Sequence, residues 1–136
     1  MKIVVIDGQG GRLGRLLAEK LIQAGLGEDT VCVGCNALAT MAMLKSGVRR
    51  AATGENAVCA QVRDADVVTG PVGIAVADAL MGEVTPRMAQ AVAQCGAQLI
   101  LIPTNRCRIQ VVGMRDMSME QLAEEAAERV RTAANA

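Results

Sequence analysis

Apolar positions along this chain fall into two rhythms. Ile3-Val4-Val5-Ile6, Thr30-Val31-Cys32-Val33, Asp66-Val67-Val68-Thr69 and Leu99-Ile100-Leu101-Ile102 are short, nearly continuous apolar runs rich in β-branched residues, as buried strands require. Between them lie stretches whose apolar residues recur three and four apart, the spacing of a helix with one face on a core. The first opens at Arg15 and continues through Leu16-Leu17-Ala18-Glu19-Lys20-Leu21-Ile22 until Gly25-Leu26-Gly27 closes it. Asn36 is placed to cap a helix from Ala37 to Ser46, with Leu38, Met41, Met43 and Leu44 available for packing and Gly47 as its stop. Arg49 to Ala52 is a less apolar strand candidate. Thr53-Gly54-Glu55-Asn56 follows as a turn, leading into one or two helical turns up to Val62.

In the second half, Gly70-Pro71 is expected to stop the strand before it, because proline has no N–H for the ladder. Gly73 to Met81 is periodic enough to predict a helix. Thr85-Pro86 predicts another, with a capping hydroxyl followed by proline at the first helical position, and Gly96 lies past its end. Pro103 terminates the Leu99 strand, Ile109 to Gly113 predicts a last strand, and Ser118-Met119-Glu120-Gln121 is a capping-box opening for a final helix. Thr132 to Ala136 is expected to fray. Strands alternating with helices predict an α/β fold: one Rossmann-like three-layer domain over residues 1–136, with a mostly parallel, doubly wound sheet covered on both faces.

Composition narrows the chemistry. Across 136 residues, 51% are hydrophobic, yet Phe, Tyr, Trp and His are absent, so the core must be Val, Ile, Leu, Ala and Met, with eight Met as adaptable fillers. The lack of His removes the imidazole general base, Ser-His triads and every His-containing metal site. Lys plus Arg and Asp plus Glu both total 14, so the formal net charge is zero and no basic patch invites nucleic acid. No apolar run approaches the roughly 20 residues that span a bilayer, and a cytoplasmic protein without membrane or nucleic-acid partners is expected. Five cysteines, an odd number, do not suggest a disulfide framework.

Candidate chemistry centres on Asp7-Gly8-Gln9-Gly10-Gly11-Arg12-Leu13-Gly14, a glycine turn between the first strand and the first helix. Such a turn aims unpaired helix N–H groups and a partial positive charge out of the strand end, which is a cradle for phosphate or carboxylate. The spacing is GxxGxxG through Gly8, Gly11 and Gly14, not GxGxxG. A P-loop is excluded because Arg15-Leu16 stands where lysine and a metal-binding hydroxyl are required. The competing structural reading is that the glycines only permit tight strand-to-helix packing. Two features count against a standard dinucleotide site. Asp7 sets a carboxylate beside the expected pyrophosphate unless Arg12 or a metal neutralises it. The second strand ends in Gly34-Cys35-Asn36, with no acid to hold an NAD ribose, and Asn36 could bond a ribose hydroxyl only weakly.

In an open α/β sheet the crevice lies beyond the C-terminal strand ends. This gathers the glycine loop, Asn36, the Thr53 to Asn56 turn, Gly70-Pro71 and Thr104-Asn105 onto one rim. The predicted ligand-contacting set is therefore Gly8, Gln9, Gly10, Gly11, Arg12, Leu13, Asn36, Gly70, Pro71 and Asn105. Cys32 and Cys35 match CxxC, but no second pair exists and Cys32 falls inside a strand, so both read as structural thiols. Cys107, between Arg106 and Arg108, is the better candidate for a reactive thiol. Asp7, Glu55, Asp78 and Glu83, with Lys45, are the available acid–base groups. Asp7, Glu55 and Cys107 are the catalytic candidates, and none has a partner at a spacing that marks a catalytic pair. No metal site is expected. The acids and arginines of the last helix read as a solvated face with ion pairs.

The wording Gly-Gln-Gly-Gly-Arg-Leu-Gly-Arg resembles the phosphate loop of dihydrodipicolinate reductases and, more loosely, that of prephenate dehydrogenases, over about the first fifteen residues. Both are nicotinamide-dependent families, which implies NAD(P). Over almost the whole length, Ile6 to Gly11, Ala52 to Ala57, Asp64-Ala65-Asp66, Gly70 to Ile74 and Leu101 to Cys107 resemble the short bacterial proteins known as domain of unknown function 3842. That resemblance implies a compact Rossmann-like domain and transfers no catalytic residue. The expected function is binding of a nucleotide such as NAD(P), with a second subunit completing the pocket of a dimer. The alternatives are an oligomeric sensor for a small anionic metabolite, and a small lyase or isomerase-like enzyme with Asp7 or Glu55 as base.

Overall fold

The computed structural model describes residues 1–104 and 108–135. Five strands, β1 (Ile3–Asp7), β2 (Thr30–Gly34), β3 (Arg50–Thr53), β4 (Val67–Pro71) and β5 (Gln98–Ile102), form one sheet in the order β3-β2-β1-β4-β5. Every pairing is parallel, with Ile3 beside Thr30 and Val67, and Val67 beside Gln98. The helices are α1 (Arg12–Gln23), α2 (Ala37–Leu44), α3 (Glu55–Val62), α4 (Pro86–Gln94) and α5 (Met119–Ala134). The expected α/β, Rossmann-like three-layer architecture is thus observed, with a sheet that is wholly parallel.

Period-two alternation along the strands builds the two cores. Ile3 and Val5 of β1 join Val67, Ile100 and Ile102 beneath Leu17 and Leu21 of α1, Met43 of α2 and Val130 of α5. On the opposite face Val4, Ile6, Val33 and Val68 pack with Val58 of α3 and Val92 of α4. All five residues of β1 are buried because helices cover both sides of the central strand. The predicted caps form: the Asn36 side chain accepts from Ala39 N at 2.8 Å, the Thr85 hydroxyl from Met88 N at 3.1 Å, and the Ser118 hydroxyl from Gln121 N at 3.1 Å.

Three expectations are corrected. The helix predicted over Gly73 to Met81 is a single 3₁₀ turn, Val72–Ala75, followed by a tight loop. Asp78, Leu80 and Met81 adopt φ of 65°, 54° and 57°, and Asp78 N donates to Val84 O at 2.7 Å, so the backbone coils back where a helix would run on. The strand predicted over Ile109 to Gly113 pairs with nothing among the described residues; it is extended chain and turn. Pro71 does not stop β4, because β1 pairs with β4 only as far as Thr69, and the last steps, Gly70 with Leu101 and Pro71 with Ile102, are made to β5. At the C-terminus α5 runs through Ala134.

Candidate functional site

The order β3-β2-β1-β4-β5 reverses direction between β1 and β4, and the glycine loop leaves the C-terminal end of β1 at that point. A cleft of about 400 Å³ opens there. Its lining includes Asp7 and the whole run Gly8 to Leu13, with Pro71 at the end of β4, Ile102 to Thr104 beyond β5, and a strap from Met114 to Met117. The sequence-predicted Gly8, Gln9, Gly10, Gly11, Arg12, Leu13 and Pro71 are therefore brought together. Asn36, Gly70 and Glu55 do not line the cleft; Glu55 sits at the start of α3 with Arg87 at 3.5 Å. Asn105 and Cys107 lie outside the described residues.

The hydrogen bonds of the loop separate amides engaged by the protein from open ones. Asp7 is buried, and its carboxylate accepts from Gly8 N at 2.8 Å and from Gly14 N, in the first turn of α1, at 2.7 Å. Glu83, carried by the coiled loop before α4, accepts from Gln9 N at 2.8 Å and from the Asn36 amide at 2.9 Å. The same Asn36 amide donates to Gln9 O at 3.0 Å while its oxygen caps α2, so Asn36 fastens the loop to α2. Three loop amides thus already face protein carboxylates. The amides of Gly10, Arg12 and Leu13 have no hydrogen-bond acceptor among the described residues, and all three residues border the cleft.

The glycines divide in the same way. A Cβ on Gly8 would stand 2.7 Å from Glu83 Oε1, on Gly11 2.7 Å from the Ala39 backbone, and on Gly14 2.6 Å from Met43 Sδ and 2.7 Å from Asp7 Cβ. At those three positions, the GxxGxxG set, a side chain would press on the protein's own groups, and Gly11, which faces backbone, is also left-handed with φ 72° as the N-cap of α1. Gly10 alone among the four loop glycines has open space on its Cβ side.

Cys35 is half-buried at the foot of the loop. Burial, reinforced by the nearby Glu83 and Asp7 carboxylates, pushes its thiol up to about 12; burial alone pushes Cys32 in β2 up to about 12. Both are free thiols, and neither is activated. No group of three or more Cys, Asp or Glu able to hold a metal ion occurs among the described residues. No helix among them is long and apolar enough to cross a membrane. Sequence reasoning counted Glu83 only as an available acid, since its loop partners lie 74 and 47 positions away.

One family model, described as "Domain of unknown function (DUF3842)", matches residues 2–135. The chain belongs to that family. Neither the curated proteins nor the solved structures contain a match to it. For this DUF3842 chain the cleft, with its three unpaired amides, is consequently read from its own geometry. Arg12 and Arg115 are the cations on its lining, and Asp7 and Asp116 the acids.

Proposed function

We propose that this protein binds a nucleotide in the cleft, with a phosphate against the first turn of α1 and NAD(P) as the first candidate. The observation carrying this reading is the set of Gly10, Arg12 and Leu13 amides, unpaired among the described residues and bordering a cleft at the topological switch point. The phosphate end fits these donors. The ribose end has no acidic partner at the close of β2, where Asn36 is engaged with the loop and α2. When bound, a nicotinamide would supply hydride chemistry, and the chain would orient it. Self-association is part of the same reading.

A second reading is favoured by the carboxylates already seated on Gly8, Gln9 and Gly14 and by the modest cleft volume: a sensor that takes a smaller anionic metabolite at the same three amides. Thermal shifts with NADH, NADPH, AMP and inorganic phosphate separate the two. Ligand at a hundredfold excess over its dissociation constant stabilises the folded state by about 2.7 kcal/mol. Gly10→Glu is the control, because its side chain enters open space over the amides without straining the loop. Loss of a nicotinamide shift in Gly10→Glu supports the first reading. A shift with AMP but neither nicotinamide keeps the nucleotide and replaces NAD(P), a shift with inorganic phosphate alone supports the second reading, and no shift with any of the four refutes both.

A further inference from the structure

Among the described residues β5 is an edge strand, hydrogen-bonded to β4 on one side only. Its open side forms the floor of a groove of about 800 Å³, walled by α5 residues such as Leu122, Ala126 and Ala133 and by the strap that includes Gly113 to Arg115. An unpaired parallel edge exposes a row of N–H and C=O groups, and proteins normally cover or blunt it. The same chain carries a segment with the opposite defect. Ile109-Gln110-Val111-Val112-Gly113 has strand composition, yet Ile109, Val111 and Val112 are 36%, 45% and 100% exposed.

We propose that these two features satisfy each other between two copies of the chain: residues 109–113 of one protomer add as a sixth strand along β5 of the other, and reciprocally. The segment and β5 are matched at five residues each, about 17 Å of strand at 3.3–3.4 Å per residue. Alternation places Ile109 and Val111 on one face of the added strand and Val112 on the other, so each face gains apolar cover. A two-fold axis makes both pairings at once, and this doubling brings short strands toward the roughly 1,200 Å² that a specific interface buries. Pairing within one chain is opposed by the strap. Arg115 is held to Glu125 of its own α5 at 3.7 Å, while Val112, three residues earlier, is fully exposed. The inference rests on self-association and not on the identity of the ligand. The strap also borders the glycine-loop cleft, so the exchange joins the two sites.

Sedimentation velocity of the full chain at micromolar concentration is expected to give twice the chain mass. Val112→Asp and Val111→Pro, at exposed positions, are expected to give single-chain mass with unchanged far-UV circular dichroism. Leu38→Asp, on the exposed face of α2, is expected to remain dimeric. A photo-crosslinker at position 112 in a mixture of ¹⁴N and ¹⁵N chains is expected to link to β5 in mixed-isotope pairs. A monomeric wild type overturns self-association and this interface together. A dimer that survives Val112→Asp and Val111→Pro, or is broken by Leu38→Asp, overturns the interface alone. Links confined to single-isotope chains place the segment on its own edge and overturn the exchange.

Discussion

The Asp7 carboxylate and the Gly14 amide, 2.7 Å apart, tie the last residue of β1 to the first turn of α1. With its other oxygen on Gly8 N, Asp7 takes the place at the helix start that an anionic ligand would otherwise compete for. The loop is therefore built around an internal anion, and among the described residues the amides left open are those of Gly10, Arg12 and Leu13.

Asp7→Asn turns one acceptor toward its amide partner as a donor. At a buried site a mismatched hydrogen bond costs about 1–3 kcal/mol. Urea unfolding of the variant is expected to show a loss in that range. A thermal midpoint unchanged from wild type would show that the two bonds contribute nothing.

Gly14→Ala and Gly10→Ala, four residues apart, are expected to behave oppositely. Alanine at Gly14 must displace Met43 Sδ and Asp7, an overpacking that costs about 1–3 kcal/mol. At Gly10 nothing lies within 4 Å and φ is not positive, so alanine is expected to be neutral or stabilising by up to about 1 kcal/mol. Equal destabilisation at the two sites would contradict this division between packing glycines and an open one.

Most of the fold was legible because local and global signals agree. Ile3 to Ile6 reads as a strand buried on both faces, and Asn36, Thr85 and Ser118 each cap the helix they announce. The misreadings have physical causes. Asp78, Leu80 and Met81 are left-handed without being glycine, so only Gly82, at φ 89°, marks in the local sequence the loop that carries Glu83 back to Gln9. Ile109 to Gly113 has strand composition, but composition does not supply a neighbouring strand to pair with. The glycine loop was placed correctly. Which glycines serve packing depended on Met43, Ala39 and Glu83, contacts that spacing within the loop cannot show.

Thiol reactivity gives a pH prediction. With Cys32 and Cys35 both raised to about 12, each stays protonated at neutral pH, and native-state alkylation is expected to be slow at pH 8, read peptide by peptide by mass spectrometry. The sign for stability follows from the same shift. The unfolded thiols ionise near 9.0 while the folded ones keep their protons, so these groups leave stability unchanged below that value and lower it as pH rises above it. Cys32→Ala and Cys35→Ala should each flatten that alkaline decline. Rapid labelling of Cys32 in the native protein would contradict its burial.

Glu83 and Asn36 offer the sharpest test of how the loop is held, since each touches Gln9 and they touch each other. Asn36→Ala loses the α2 cap as well as both amide bonds, for a cost of about 0.5–2 kcal/mol from the cap alone. Glu83→Ala leaves Gln9 N without that acceptor at a half-buried site, and a cost of about 1 kcal/mol is expected after solvent screening. Because the two side chains share a bond, their effects should not add. A double-mutant cycle is expected to give a coupling of about 0.5–1 kcal/mol, with faster hydrogen exchange at Gln9 N in either single variant. Additive costs and unchanged exchange at Gln9 would mean that the loop holds its shape from the glycine packing and Asp7 alone.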